Sequence, residues 1–191
     1  MLDHELKLIK NIQKKGHRES ANILIKGYYS EIYGYVFKQT SCRQLAADIT
    51  QEIFISMIRS IDNYNVERCS FRTWIYKIAS NKIIDYYRSK NYKQWTSSMT
   101  IDCIELKAKG DIEDDFIKRE KVKDILVIVN NFEANLQQIF RMKIFADMTF
   151  KDIGNALDLN ESTVKTKYYS MLKMRIKLLF IKGNIIKMKS K

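Results

Sequence analysis

Thr149-Phe150-Lys151-Asp152-Ile153-Gly154-Asn155-Ala156-Leu157 reads as a short helix, Asp158-Leu159-Asn160 as a tight turn, and Glu161-Ser162-Thr163-Val164-Lys165-Thr166-Lys167 as the start of a longer basic helix. This is helix-turn-helix spacing. Ile153, Leu157, Leu159 and Val164 are placed to close a small core, and Asn160 to cap the second helix by accepting from the amide of Ser162 or Thr163. That helix then opens with Ser162, Thr163, Lys165, Thr166 and Lys167 outward, hydroxyls and cations suited to base edges and phosphates. Val164, Tyr168 and Met171 face inward at i, i+4 and i+7. The plainer alternative is a helical hairpin whose charged face is only solvated.

Outward from this motif the whole chain reads as helix. The 191 residues contain no proline and only six glycines, so the strongest helix breakers are almost missing. Apolar residues at three- and four-residue steps predict helices over Asp3–Lys14, Glu19–Thr40, Arg43–Ile61 and Ser70–Lys90. Asp62-Asn63-Tyr64-Asn65 supplies the turn between the last two, short enough for them to pack antiparallel. From Asn91 to Asp115 the sequence is polar and without period, which reads as a linker with a flexible-coil reach of about 25 Å. Helices resume over Glu113–Asn131, Glu133–Phe145, Thr149–Leu157 and Glu161–Lys182. The expected fold is all-α: two small helical domains, residues 1–92 and 116–191, joined by a flexible linker over 93–115, the second domain a helix-turn-helix.

Charge narrows the partners. Lys plus Arg number 34 against 22 Asp plus Glu, a net charge of +12, which suits an extended polyanion such as nucleic acid. The excess is uneven, with nine cations against Glu161 alone from Asn160 to Lys191, but four acids against two bases from Arg43 to Glu67. Cys42, Cys69 and Cys103 form no Cys-x-x-Cys pair and lie far from His4 and His17, so neither a disulfide framework nor a metal site is supported. No apolar run reaches the roughly 20 residues that cross a bilayer, and Asp3, His4 and Glu5 interrupt any signal-peptide pattern. A cytoplasmic protein without cofactor or metal, and with no membrane partner, is expected.

Between Ser70 and Trp95 lie seven aromatics (Phe71, Trp74, Tyr76, Tyr86, Tyr87, Tyr92, Trp95) and six cations (Arg72, Lys77, Lys82, Arg88, Lys90, Lys93). That mixture suits a surface that stacks on unpaired bases while neutralising phosphates. It also suits a helix whose aromatics fill a core behind a solvated basic face. Trp74, at helical spacing with Ile78, belongs to the core on this reading.

An acid-marked helix, an aromatic basic helix and a distal helix-turn-helix, in this order, resemble the extracytoplasmic-function (ECF) class of bacterial sigma factors. Ala47-Asp48-Ile49-Thr50-Gln51-Glu52-Ile53-Phe54 is similar to the family's Ala-Glu-Asp-Leu-Thr-Gln-Glu-Val-Phe. Phe71, Thr73, Trp74, Ile75, Ile78, Ala79, Asn81, Asp85, Tyr86 and Arg88 match its Phe-x-Thr-Trp-Leu, Ile-Ala-x-Asn and Asp-Tyr-x-Arg series. Asp152-Ile153-Gly154 stands for Glu-Ile-Ala, and Ser162-Thr163-Val164-Lys165-Thr166-Lys167 for Gly-Thr-Val-Lys-Ser-Arg.

The resemblance implies roles. The first domain would dock on the beta-prime clamp helices of core RNA polymerase through Asp48, Gln51 and Glu52, which share one helical face at i, i+3 and i+4. Asn81 and the loop from Ile61 to Cys69 would hold a base extruded from the downstream (minus-ten) promoter element, with Lys82, Arg88, Lys90 and Lys93 gripping the backbone. The second domain would read the upstream (minus-thirty-five) element of the promoter DNA through Ser162, Thr163, Lys165, Thr166 and Lys167. The beta flap of polymerase and an anti-sigma factor are further implied partners. The chain departs from the family pattern at Gly154, where alanine is usual and glycine costs up to about 1 kcal/mol in a helix. It departs also at Ser170, at Arg175 and at Phe132-Glu133 in place of Leu-Pro, and these bear on which upstream element is read. The Lys-rich tail from Ile181 is longer than the motif requires.

Two other classes fit less of the chain. A stand-alone helix-turn-helix transcriptional regulator has no need of the Asp48-Gln51-Glu52 face or the Asn81 helix. A membrane-surface helix over Met171–Lys191 spreads its lysines too evenly to form an apolar face. An enzyme is not expected, because no acid pair, activated nucleophile, phosphate loop or metal cluster has workable spacing.

Overall fold

The computed structural model describes residues 2–89 and 122–173. The described residues form α-helices α1 (Leu2–Lys15), α2 (Arg18–Thr40), α3 (Arg43–Ser60) and α4 (Phe71–Arg88), with a short 3₁₀ turn at Ile61–Asn63. They continue with α5 (residues 122–129), α6 (Ala134–Phe145), α7 (Phe150–Leu157) and α8 (Glu161–Met171). Among them there is no strand. The chain is all-α, and each described helix overlaps a stretch predicted as one, α1 extending a residue beyond it at both ends and α2 starting one residue earlier. The expected linker at 93–115, with Lys90, Tyr92, Lys93, Trp95 and the Lys-rich tail, lies outside the described residues.

Helix boundaries have local causes. His17 accepts from the Ser20 amide at the start of α2, and Ser41, left-handed at φ 53°, ends that helix. The Ser70 hydroxyl accepts from the Thr73 amide to start α4, and Thr149 does the same for the Asp152 amide in α7. Asn160 stands at the N-cap of α8, but its side chain makes no capping bond there. The expected Asn160 cap is therefore corrected: the turn is held by backbone bonds instead, from the Leu159 amide to the Gly154 carbonyl (2.9 Å) and the Val164 amide to the Asn160 carbonyl (3.0 Å). Asp158 closes α7 in the left-handed region at φ 55°, a conformation that Asp tolerates better than most residues.

The core runs through both halves of the chain. Ile9 and Ile12 of α1, Ile32 and Val36 of α2, Ile53 and Met57 of α3, and Phe71, Ile75 and Ile83 of α4 share one buried cluster with Ile139, Met142, Ile153 and Val164 of the second half. Burial of each such side chain contributes roughly 1.5–3 kcal/mol. Helix α4 is central: α2 and α3 pack against it within the first half, and α6 and α7 of the second half pack against it too. A smaller cluster of Ile125, Val129, Phe140 and Met171 ties α5, α6 and α8 together.

The aromatics of α4 mostly serve this packing. Phe71 and Tyr76 are buried, and Trp74 is half-buried with its ring against Tyr64 and Phe71 at centroid distances of 5.3 and 5.6 Å. Such tilted aromatic clusters are worth more than their area alone. Of the two readings of this stretch, the core reading holds for Phe71, Trp74 and Tyr76. A stacking surface is left no exposed ring among the described aromatics of α4, since Tyr86 and Tyr87 are half-buried as well.

Gly154 is where a general propensity argument and the geometry part. A Cβ built on it would sit 2.6 Å from the Leu159 carbonyl oxygen, so the close approach of backbone across the turn requires glycine. Gly154→Ala should destabilise the chain by about 1–3 kcal/mol despite alanine's better helix propensity. Urea unfolding followed by circular dichroism checks the sign, because a stabilised variant would mean the turn relaxes freely.

Candidate nucleic-acid interface

Three surfaces carry the residues singled out in the sequence. On α3, Ala46, Ile49, Thr50, Ile53, Phe54 and Met57 face inward, which leaves Asp48, Gln51 and Glu52 exposed together on the opposite side. Gln44 donates to the Asp48 carboxylate at 3.1 Å. Ile55, 51% exposed, continues this face three and four residues beyond Glu52 and Gln51. It was not among the residues expected from sequence; an isoleucine outside the inward set of an amphipathic helix is the signal that could have found it.

The second surface joins α4 and the loop before it. Within that loop the Tyr64 hydroxyl donates to the Cys69 carbonyl at 3.2 Å. The Gln13 amide of α1 donates to the carbonyls of Ile61 (2.8 Å) and Tyr64 (3.3 Å). A cleft of about 510 Å³ lies between α1 and the loop, lined by Leu6, Lys10, Gln13, Asn63 and Tyr64 among others. Burial pushes the Cys69 thiol up, so it is the neutral thiol at neutral pH.

Asn81 is solvent-exposed on α4, yet its carbonyl oxygen accepts a hydrogen bond from the Gln138 amide of α6. Lys82 is half-buried beside it, and Arg88 is exposed in the last turn of the same helix. Lys90 and Lys93 lie outside the described residues. Arg68 of the loop approaches Asp158 of the helix-turn-helix at 3.7 Å, with both side chains well exposed, a pair worth at most about 1 kcal/mol.

Next to Asn81 the two halves meet around a buried cation that the sequence did not announce. Arg141 of α6 is fully buried. Its guanidinium donates to the Gln39 side-chain oxygen of α2 at 2.6 Å and to the Asn130 side-chain oxygen at 2.5 Å, and it lies over the Tyr87 ring of α4 at 5.3 Å. The Tyr87 hydroxyl in turn donates to the Gln39 carbonyl at 2.6 Å. Burial lowers the Arg141 pKa from its ordinary value, opposed by Tyr35 and Tyr87. Among the described residues its Nε finds no partner, an omission that costs about 1–3 kcal/mol in a buried group. Flanking Phe140 and Met142 hide Arg141 in the sequence, since one charge in an apolar helix reads as an exposed one.

The third surface is α8. Val164 and Met171 are buried and Tyr168 half-buried, so the inward face is as expected. Ser162, Lys165 and Thr166 are exposed, and Thr163 and Lys167 half-buried at its edge. The cations are held by weak pairs, Lys165 to Glu161 at 2.7 Å and Lys167 to Glu133 at 3.1 Å. Thr166 returns its hydroxyl to the Ser162 carbonyl at 2.9 Å. Surface pairs of this kind exchange readily for phosphate. Among the described residues no three His, Cys, Asp or Glu side chains gather as a metal site, and no helix is long and apolar enough to cross a membrane.

Residues 24–92 match the family model described as Sigma-70 region 2. The chain is similar to the RNA polymerase sigma factor YlaC of Bacillus subtilis, 25% identical with 78% of this chain and 86% of the relative covered. It is similar to the ECF RNA polymerase sigma factor SigW of the same organism at 26% identity, over 85% and 90% of the two chains. The ECF RNA polymerase sigma-E factor of Haemophilus influenzae is 22% identical, over 87% and 90%. Among solved structures, CnrH in its complex with the cytosolic domain of CnrY shares the fold, with a TM-score of 0.59 at 12% identity over 94% of this chain and 99% of that one. Residues 24–92 thus resemble Sigma-70 region 2, and over most of its length the chain is similar to RNA polymerase sigma factors of the extracytoplasmic-function class.

Proposed function

We infer that the chain is a transcription initiation factor, not itself an enzyme. It binds core RNA polymerase, confers promoter recognition and acts in the bacterial cytoplasm. The observation that carries this reading is the outward face of Asp48, Gln51 and Glu52 on α3, within the part of the chain that matches region 2. An acidic and amide patch of this kind suits a basic helical partner, and the beta-prime clamp helices are that partner. Ile55 adds an exposed apolar contact at its C-terminal end.

The remaining surfaces divide the promoter. Asn81, with an amide that offers two donors and one acceptor, takes an extruded base of the downstream element, and Lys82, Arg88, Lys90 and Lys93 hold the strand backbone. The loop from Ile61 to Cys69, braced by Gln13, forms the other wall. Ser162, Thr163, Lys165, Thr166 and Lys167 read the upstream element from α8. The second domain would meet the beta flap, and an anti-sigma factor would hold the protein inactive. A stand-alone regulator leaves the α3 face without a role.

Run-off transcription with purified core polymerase and genomic DNA should give transcripts from defined sites. The triple variant Asp48→Lys, Gln51→Ala, Glu52→Lys should abolish both polymerase binding and those transcripts with the helical content unchanged; retained binding removes the docking assignment. Asn81→Ala should reduce promoter opening, read by permanganate reactivity of unpaired thymines, more than it reduces closed-complex formation. Lys165→Ala should weaken binding to upstream duplex and lower the slope of log K against log salt by about 0.9. An unchanged slope would mean that Lys165 contacts no phosphate.

A further inference from the structure

Helix α1 carries charge that neither the core nor the three surfaces described above use. Leu8, Ile9 and Ile12 are buried, and the helix packs on α2 and on the 3₁₀ turn that opens the loop. Its opposite side is exposed at Lys7, Lys10 and Lys14, which share one face at i, i+3 and i+7. Asp3 begins that face a turn earlier, yet among the described residues none of the three lysines is in an ion pair. The three span about 10 Å of helix axis at 1.5 Å per residue, the length of about three stacked nucleotides. Lys10 also lines the cleft of about 510 Å³ whose other wall is the loop, with Asp62, Asn63, Asn65 and Val66. That loop is fastened to two helices: the Tyr64 ring lies on Phe71 and Trp74 of α4 at 5.4 and 5.3 Å, and the carbonyls of Ile61 and Tyr64 accept from Gln13 of α1.

We propose that α1 and this cleft are a further segment of the single-strand path, in which Lys7, Lys10 and Lys14 bind the phosphates of the two or three nucleotides that adjoin the extruded base. The site rests on the assignment of the loop to that base. The two walls of the cleft differ in sign: α1 presents cations, while Asp62 and Glu67 of the loop are exposed carboxylates. A strand is therefore turned with its backbone toward α1 and its base edges toward the acid and amide groups of the loop, which accept from and donate to bases but repel phosphate. A duplex, which carries phosphate along both edges, has no such fit. A lipid surface asks for an apolar side beside the cations, and α1 has already buried its own in the core. The exposed side chain of Val66 at the rim, 46% exposed, offers a base an apolar contact that the loop does not otherwise need.

The test uses the full-length chain assembled with core polymerase. Fluorescence anisotropy measures its binding to a fluorescein-labelled single-stranded oligonucleotide of randomised sequence and to a duplex of the same length, over a range of salt. The triple variant Lys7→Ala, Lys10→Ala, Lys14→Ala, with parental helical content and parental polymerase binding, should bind the single strand at least tenfold more weakly and the duplex within twofold of the parent. Its slope of log K against log salt for the single strand should fall by about 2, at about 0.7 per phosphate contact. Lys10→Glu alone should weaken strand binding at least fivefold, and the triple Lys→Arg variant, which keeps the charges, should bind as the parent does. Parental strand affinity and slope in the triple alanine variant overturn the site; Asn81→Ala weakening the strand in the same assay then leaves the promoter-strand reading in place without it. Equal loss toward strand and duplex makes the lysines a general attraction for DNA and overturns the site as well. A parent complex that binds the strand no better than core polymerase alone overturns the site together with the reading it rests on.

Discussion

The burial of one guanidinium organises this molecule. Arg141 sits where α2, α4 and α6 converge, and among the described residues it is bonded to amide oxygens and lies on a tyrosine ring, with no carboxylate partner. An uncompensated charge in such a place would be costly by several kcal/mol. Gln39 and Asn130 must therefore be held in register, and they are: Gln39 by its own bond to the Tyr35 carbonyl and by Tyr87, Asn130 by its place just before α6. The contact therefore demands that α2 and α4 of the first half and α6 of the second keep fixed relative positions. Apolar packing by itself is tolerant of small slides; a polar centre with defined donors is not.

Around that constraint the surfaces sort by what they must keep free. Helix α3 spends its apolar side on the core and presents Asp48, Gln51 and Glu52 outward. Helix α8 spends Val164 and Met171 likewise and leaves its cations in pairs with Glu161 and Glu133 that phosphate can replace. Helix α4 keeps a narrower free side, with Arg72, Asn81, Asp85 and Arg88 exposed. It is packed by α2 and α3 of the first half and by α6 and α7 of the second, and Asn81 is bonded to Gln138 of α6.

Much of this could be read from the chain before any coordinates. The helix-turn-helix was legible because Ile153, Leu157, Leu159 and Val164 are separated by spacings that only two short helices and a turn satisfy, and the α3 face because Asp48, Gln51 and Glu52 interrupt an apolar period. Where local reading went astray, nonlocal geometry was responsible. Asn160 has the right chemistry for a cap, but the backbone bonds across the turn do that work. Gly154 looks like a weakness until the Leu159 carbonyl is seen lying 2.6 Å from where a Cβ would be. The rings of Phe71 and Tyr76 suit base stacking in composition, yet they face Tyr28, Tyr64 and Tyr35.

By itself the amino-acid sequence determined the all-helical class, the positions of the described helices and the outward residues of α3 and α8, because each follows from a period of 3.6 residues and from capping chemistry within a few positions. Only the tertiary structure decided that α6 lies across α4, that Arg141 is inside rather than outside, and that Asn81 is engaged. Those facts depend on residues 57 and 102 positions apart in the chain. A contact between such distant residues leaves no periodic trace in either segment, since each helix by itself is equally content with water on that side.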